Sequence, residues 1–258
     1  MSIRLPVVLL FCWIGALPLA HGAEFTQTIA TVKKSVVGIG TFQQTRSPAA
    51  VVEATGFAVG DGNHVITNAH AVNKLLNGPA LERFVVFAGR GDVPDMRQAT
   101  VLGVDREHDL ALLHIDGAPL PAMQLGDAGA AAEGQELAFT GYPLGIYLGL
   151  YPVTHHAFLS AITPVVLPSL NSGKLSARNI VQLQRDRFTI LQLDATAYPG
   201  NSGSPVYDPQ SGVVVGVINM VLLKGMKESA ISAPSGISYA IPVAHVRELL
   251  RQKSSSAK

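Results

Sequence analysis

Short apolar runs closed by turn residues recur along almost the whole chain, and no other feature constrains its fold as strongly. They read "SVVGIGTF", "ATGFAVG", "HVITNAH", "RFVVFAG", "ATVLGV", "LALLHI", "ELAFTGYP", "HHAFLSAI", "FTILQLDA", "GVVVGVINMVL" and "ISYAIP". They are rich in Val, Ile, Thr and Phe and too short for helices, which predicts antiparallel strands in barrels or sandwiches. Glycine at 25 and proline at 16, scattered along the length, favour the same reading. Two stretches have helical character: "TQTIATVKKSVV", with Thr26 as a candidate cap, and "PVAHVRELLRQK", with Pro242 in its first turn. The small, flexible segment Gly126 to Glu136 divides the strands into two groups of similar size, and Pro164 to Arg187 reads as a long surface loop.

The amino terminus is a different material. Arg4 precedes the apolar run Leu5 to Ala20, and small residues follow it. That order predicts a secretory signal peptide over residues 1–23, cut after Gly22 or Ala23. The run is short for a bilayer and broken by Pro18, so no stable membrane anchor is expected after cleavage. The chain's one cysteine, Cys12, leaves with this peptide. An exported protein without disulfides suits a bacterial envelope, periplasmic or secreted. The predicted units are residues 24–130, 131–252 and a tail at 253–258. A net charge of +1, with 14% charged residues, offers no basic field for a nucleic acid.

The groups able to perform acyl transfer are few. A serine hydroxyl needs a base within hydrogen-bond reach, the base needs a carboxylate to set its tautomer, and the oxyanion needs backbone donors. "VITNAHAV" places His70 at a strand end before a small-residue turn, and "REHDLALLHI" places Asp109 at a strand start. "YPGNSGSPVY" places Ser202 in a turn whose flanking glycines let the Gly200 and Ser202 amides aim at one point; Ser204 is the rival hydroxyl. Singly, each has a bland reading: a packing histidine, a cap, an ordinary glycine-rich turn. Jointly they contribute base, carboxylate and nucleophile from both halves of the chain. A cleft between two halves is a favoured ligand site. His155 and His156 are strand neighbours facing opposite ways, and no cluster has zinc spacing, so no metal and no cofactor is expected.

The segments "TGFAVGDGNHVITNAHAV", "DREHDLALLHI", "GYPLG", "LQLDATAYPGNSGSPV" and "GISYAIPV" resemble trypsin-fold serine peptidases of the HtrA/Deg type, from Ser35 to about Gln252. The order His, Asp, Ser is also that of chymotrypsin-type triads. The resemblance implies an all-β fold of two antiparallel six-stranded β-barrels with a C-terminal helix. It implies a serine endopeptidase acting on exposed or unfolded envelope proteins, with His70 as base, Asp109 as its carboxylate and Ser202 as nucleophile. The amides of Gly200, Asn201 and Ser202 would form the oxyanion hole. Asn219, Met220 and Val221 would lie in the strand that pairs with substrate, and Thr196 near the floor of the specificity pocket. With no carboxylate there, a small or medium apolar substrate side chain is expected. The resemblance implies a protein or peptide substrate, and such relatives often form homo-oligomers.

Three features depart from the pattern, and one residue that differs from digestive relatives, Asn201, bears on activation. Ser204 stands where HtrA chains commonly carry glycine, as in glutamate-specific relatives, but "GVINMV" lacks the histidine those use to hold an acidic side chain. No peptide-binding PDZ segment is expected after the closing helix. The Pro164 to Arg187 loop is longer than in compact relatives. Asn201, being uncharged, cannot pair with a newly cut amino terminus, so activation by that route is not expected. The alternative that stays open is a catalytically silent binding or chaperone-like protein on the same fold.

Overall fold

The computed structural model describes residues 20–76, 82–89, 91, 95–145, 149–164, 188–220 and 236–256. Among these, twelve strands form two closed antiparallel barrels. The first contains β1 (Val36–Phe42), β2 (Ala50–Val59), β3 (His64–Asn68), β4 (Arg83–Ala88), β5 (Asp95–Asp105) and β6 (Leu110–Ile115). They close in the order β1-β2-β3-β6-β5-β4. The second contains β7 (Glu136–Gly141), β8 (Val153–Pro164), β9 (Thr189–Asp194), β10 (Pro205–Tyr207), β11 (Val214–Ile218) and β12 (Ile237–Pro242), in the order β10-β11-β12-β9-β8-β7.

Several strand sequences are almost continuously apolar because both of their faces are covered. In β1, Val37 and Ile39 join Val65, Val86, Leu113 and Ile115 inside the first barrel. The alternate residue Val36 belongs to a second cluster with Phe57, Leu112, Tyr142, Tyr207 and Val217, drawn from both barrels. Leu137, Phe139, Leu159, Leu193, Val206 and Ile218 fill the second barrel. A strand that faces its own barrel on one side and the partner barrel on the other has no solvent face to mark with polar residues.

Helix α3 (Val243–Ser256) lays Val246 and Leu249 into the shared cluster, and Pro242 is the last residue of β12 rather than part of the helix. Helix α1 spans Ala20–Val32, so Thr26 lies in its interior and does not cap it. This helix begins inside the segment predicted to be removed, while residues 1–19 lie outside the described region. A third helix, α2 (Ala69–Leu76), was not anticipated: the small residues after Asn68 form two turns of helix instead of a simple turn. The strand β10 was also not anticipated, because it hides in the turn sequence "GSPVY". Most of the long loop, residues 165–187, lies outside the described region. No helix among the described residues is long and apolar enough to cross a membrane.

Candidate active site

His70 is the second residue of α2, and Asp109 ends the connection between β5 and β6. The junction of β3 with α2 wraps around Asp109. Its backbone carbonyl accepts from the Ala69 amide and from Asn68 Nδ2, each at 3.0 Å. Its carboxylate accepts from the His70 backbone amide through Oδ1 at 2.8 Å and meets the His70 ring at Oδ2, 2.5 Å from Nδ1. Asp109 has φ +53°, a left-handed conformation unusual for a residue with a side chain. These bonds compensate that strain and fix the carboxylate's direction. A carboxylate can only accept, so the His70 proton sits on Nδ1 and leaves Nε2 as the free base nitrogen of the neutral ring.

A third donor reaches the same carboxylate from the second barrel: Asn219 Nδ2 lies 2.9 Å from Asp109 Oδ2. The Asn219 side chain thus holds the Asp109 carboxylate. The Asn219 backbone amide is also committed, to the Tyr239 carbonyl at 2.9 Å. Of the other two residues expected in the strand that pairs with substrate, Met220 packs against the core of the second barrel, and Val221 lies outside the described residues.

Ser202 occupies the turn between β9 and β10 and is joined to this framework on both sides. Its carbonyl accepts from the Thr55 amide of β2 at 2.8 Å, and the next amide, Gly203, donates to the Ile218 carbonyl, one residue before Asn219, at 2.9 Å. Two glycines make the turn possible. A Cβ on Gly200 (φ +101°) would stand 2.2 Å from the Tyr142 carbonyl oxygen, and one on Gly203 (φ +88°) 2.0 Å from the Thr55 carbonyl oxygen. The chain can approach both backbones only where the side chain is absent.

The peptide planes around Ser202 are all fixed. The Pro199 carbonyl accepts from Leu144 N–H at 2.6 Å, the Asn201 amide donates to the Tyr198 carbonyl at 2.9 Å, and the Asn201 carbonyl accepts from Ser204 N–H at 3.0 Å. In a trans peptide the C=O and N–H point opposite ways. The Gly200 and Ser202 amides therefore face away from those held carbonyls, and neither has an acceptor among the described residues. The Asn201 amide, expected to join them, is engaged by Tyr198 instead.

Ser202 retains 6% exposure whereas Ser204 has none. The rival hydroxyl is sealed inside, where its Oγ and both polar atoms of the buried Asn201 side chain lack partners among the described residues. Thr196 lies between Ala195, whose carbonyl accepts from Ser238 Oγ at 2.7 Å, and Ala197, whose amide donates to the same oxygen at 2.9 Å. Nothing in the local sequence marks Ser238 or Asn68, because each acts on backbone groups remote in the chain.

Of the remaining histidines, His155 stacks on Phe139 at 4.6 Å and its buried Nε2 lacks a partner among the described residues. Burial lowers its pKa from the ordinary 6.5. His156 faces outward, 4.0 Å from Glu136. His108 pairs with Asp105 at 2.7 Å and stacks on His245 at 3.7 Å. Burial first, and then the His108 imidazole, lower the pKa of His245. No group of three or more potential ligands among the described residues could hold a metal ion.

Two barrels, a His–Asp pair and a glycine-flanked serine turn describe a peptidase architecture, and family comparison agrees. Residues 54–217 match the model of the trypsin-like peptidase domain, and the chain belongs to that family. Within it the chain is HtrA-like. It is 28% identical over 207 residues to a Pseudomonas putida protein named "Probable periplasmic serine endoprotease DegP-like", covering 78% of this chain and 36% of that one. It is 27% identical over 211 residues to "Serine protease HTRA2, mitochondrial" of Drosophila pseudoobscura pseudoobscura, covering 82% and 41%. The chain thus spans little more than a third of the length of these relatives. The fold is similar to the crystal structure of Deg5, with a TM-score of 0.61 at 22% identity over 89% of this chain and 93% of that one. It is also similar to a serine endoprotease from Yersinia pestis, with a TM-score of 0.60 at 21% identity over 91% and 68%.

Proposed function

We propose that the protein is a serine endopeptidase in which Ser202 attacks the substrate carbonyl, His70 takes and returns the proton, and Asp109 orients His70. The observation that carries this reading is the double hold of Asp109 on His70, through backbone amide and ring Nδ1 together. It leaves Nε2 to accept the Ser202 proton as Oγ bonds to the carbonyl carbon. The charge that develops on the carbonyl oxygen meets the Gly200 and Ser202 amides. Collapse of the tetrahedral species breaks the peptide C–N bond, and His70 gives the proton to the departing amine. Water then attacks the acyl-enzyme with His70 again as base, restoring Ser202 and releasing the carboxylate product.

The substrate class is exposed or unfolded segments of envelope proteins, met after export through the amino-terminal signal. The specificity pocket accepts a small or medium apolar side chain. Its candidate floor at Thr196 has alanine on both sides, and the nearby Ser238 hydroxyl is already engaged with backbone groups. The test is hydrolysis of a reduced, carboxymethylated protein, which is permanently unfolded, beside its folded parent. The reading requires faster cleavage of the unfolded form and loss of cleavage in His70→Ala and Ser202→Ala. Absence of cleavage by a folded wild-type protein would favour the silent binding reading.

A further inference from the structure

The turn that holds Ser202 is fastened by a residue of the other barrel that carries no assigned role. Thr55 lies in β2 and is completely buried. Its hydroxyl oxygen accepts from the Tyr142 amide at 3.0 Å and donates to the Gly200 carbonyl at 2.7 Å. Its own amide donates to the Ser202 carbonyl at 2.8 Å, and its carbonyl accepts from Thr67 Oγ1 at 2.7 Å. One residue therefore touches the serine turn twice and the Tyr142–Gly145 turn once. The two turns also meet directly through Leu144 N–H and the Pro199 carbonyl, with Leu144 at φ +57°.

We propose that Thr55 is a positioning residue for the oxyanion site, acting through its hydroxyl. The hydroxyl has one proton, and the Tyr142 amide already occupies its acceptor side, so the proton is directed at the Gly200 carbonyl. Holding that carbonyl turns the Asn201 amide the opposite way, onto Tyr198, and keeps it out of the oxyanion site. Holding Tyr142 N–H places the turn whose Leu144 amide grips the Pro199 carbonyl, and that grip sets the direction of the Gly200 amide. Both peptides flanking Gly200 are thus set from Thr55, one directly and one through a neighbour. Glycine's wide conformational range makes such a restraint necessary, because nothing in Gly200 itself resists rotation of these peptides. A misplaced donor is costly, since the loss of one oxyanion donor lowers turnover by about 100-fold or more.

The inference rests on Ser202 as the nucleophile, and the experiment separates the two. Wild type, Thr55→Val and Thr55→Ser are compared for kcat and KM on a peptide substrate, for affinity toward a peptide aldehyde and toward the cleaved product, and for Tm. The aldehyde forms a tetrahedral adduct that needs the oxyanion donors, whereas the product does not. Thr55→Val should lower kcat and aldehyde affinity about 10- to 100-fold, with product affinity within about twofold of wild type. Thr55→Ser, which keeps the hydroxyl and loses only a methyl, should restore both to within about threefold, a change of about 0.7 kcal/mol. A folded Thr55→Val protein with wild-type kcat overturns the proposal, and so does an equal loss of product and aldehyde affinity. Should Thr55→Val not fold, a tenfold loss of kcat in Thr55→Ser overturns it and a near-wild-type value supports it. Failure of the wild-type protein to form the aldehyde adduct at Ser202 would instead remove the nucleophile assignment on which the inference stands.

Discussion

Replacing Asn219 with alanine distinguishes support of the triad from substrate binding. The Asp109 carboxylate receives three donors, at 2.8, 2.5 and 2.9 Å, and the last is Asn219 Nδ2. Asn219 is 1% exposed, so water cannot readily take the vacated place. A hydrogen bond to a charged group is worth about 1.5–3 kcal/mol, which would correspond to roughly 10- to 150-fold in rate if it were all felt in the transition state. Two bonds to His70 survive the substitution, so the lower end applies, about tenfold in kcat. The comparison is Asp109→Asn, which can no longer enforce the Nδ1–H tautomer and should cost about 10⁴-fold. Steady-state kinetics on a peptide substrate reads both variants. Loss of an orienting bond lowers kcat and leaves KM nearly unchanged, whereas loss of a substrate contact raises KM with kcat intact. A raised KM with kcat within about twofold of wild type would refute the assigned role of the Asn219 side chain.

Gly203→Ala should abolish activity and lower stability by about 3 kcal/mol or more, since its Cβ would sit 2.0 Å from the Thr55 carbonyl oxygen at a φ of +88°. Chemical denaturation checks this, and near-native stability would contradict the close approach. Acidification should destabilise the fold through His155 and His245. Folding lowers both pKa values, so the unfolded chain binds protons more readily. The stability they contribute is complete above the unfolded value of 6.5 and is lost as pH falls below it toward the depressed folded values. Tm measured from pH 7.5 to 5 should therefore decline, and less steeply in His155→Phe, which keeps the stack on Phe139; identical slopes would count against burial of a neutral His155.

The barrels were legible because turn residues punctuate the apolar runs and β-branched residues fill them. Two elements at the site were not. Helix α2 reads as a turn because its opening residues are small, and what stabilises it there is the Asp109 loop some forty positions later. Strand β10 has only three residues and borrows its identity from pairing with β7 and β11. His70, Asp109 and Ser202 could be named from chemistry and order, since few other groups could serve. Their supports could not. Thr55 reaches Gly200 across 145 residues, and Ser238 reaches Ala195 across 43, with nothing in either local sequence to announce it. Asn201 illustrates the same limit: its amide direction depends on which neighbouring carbonyls are held, a matter of tertiary contacts alone.

The decisive assignment in "GNSGSP" is one hydroxyl as nucleophile and the other as buried bystander. A fluorophosphonate probe tests it most directly, because stable labelling requires an activated serine and a working oxyanion site together. The labelled residue is located by peptide mass spectrometry in wild type, Ser202→Ala and Ser204→Ala. Labelling is expected at Ser202 in the wild type, none in Ser202→Ala, and retained labelling at Ser202 in Ser204→Ala. Labelling that persists in Ser202→Ala, or that maps to Ser204, would contradict the assignment.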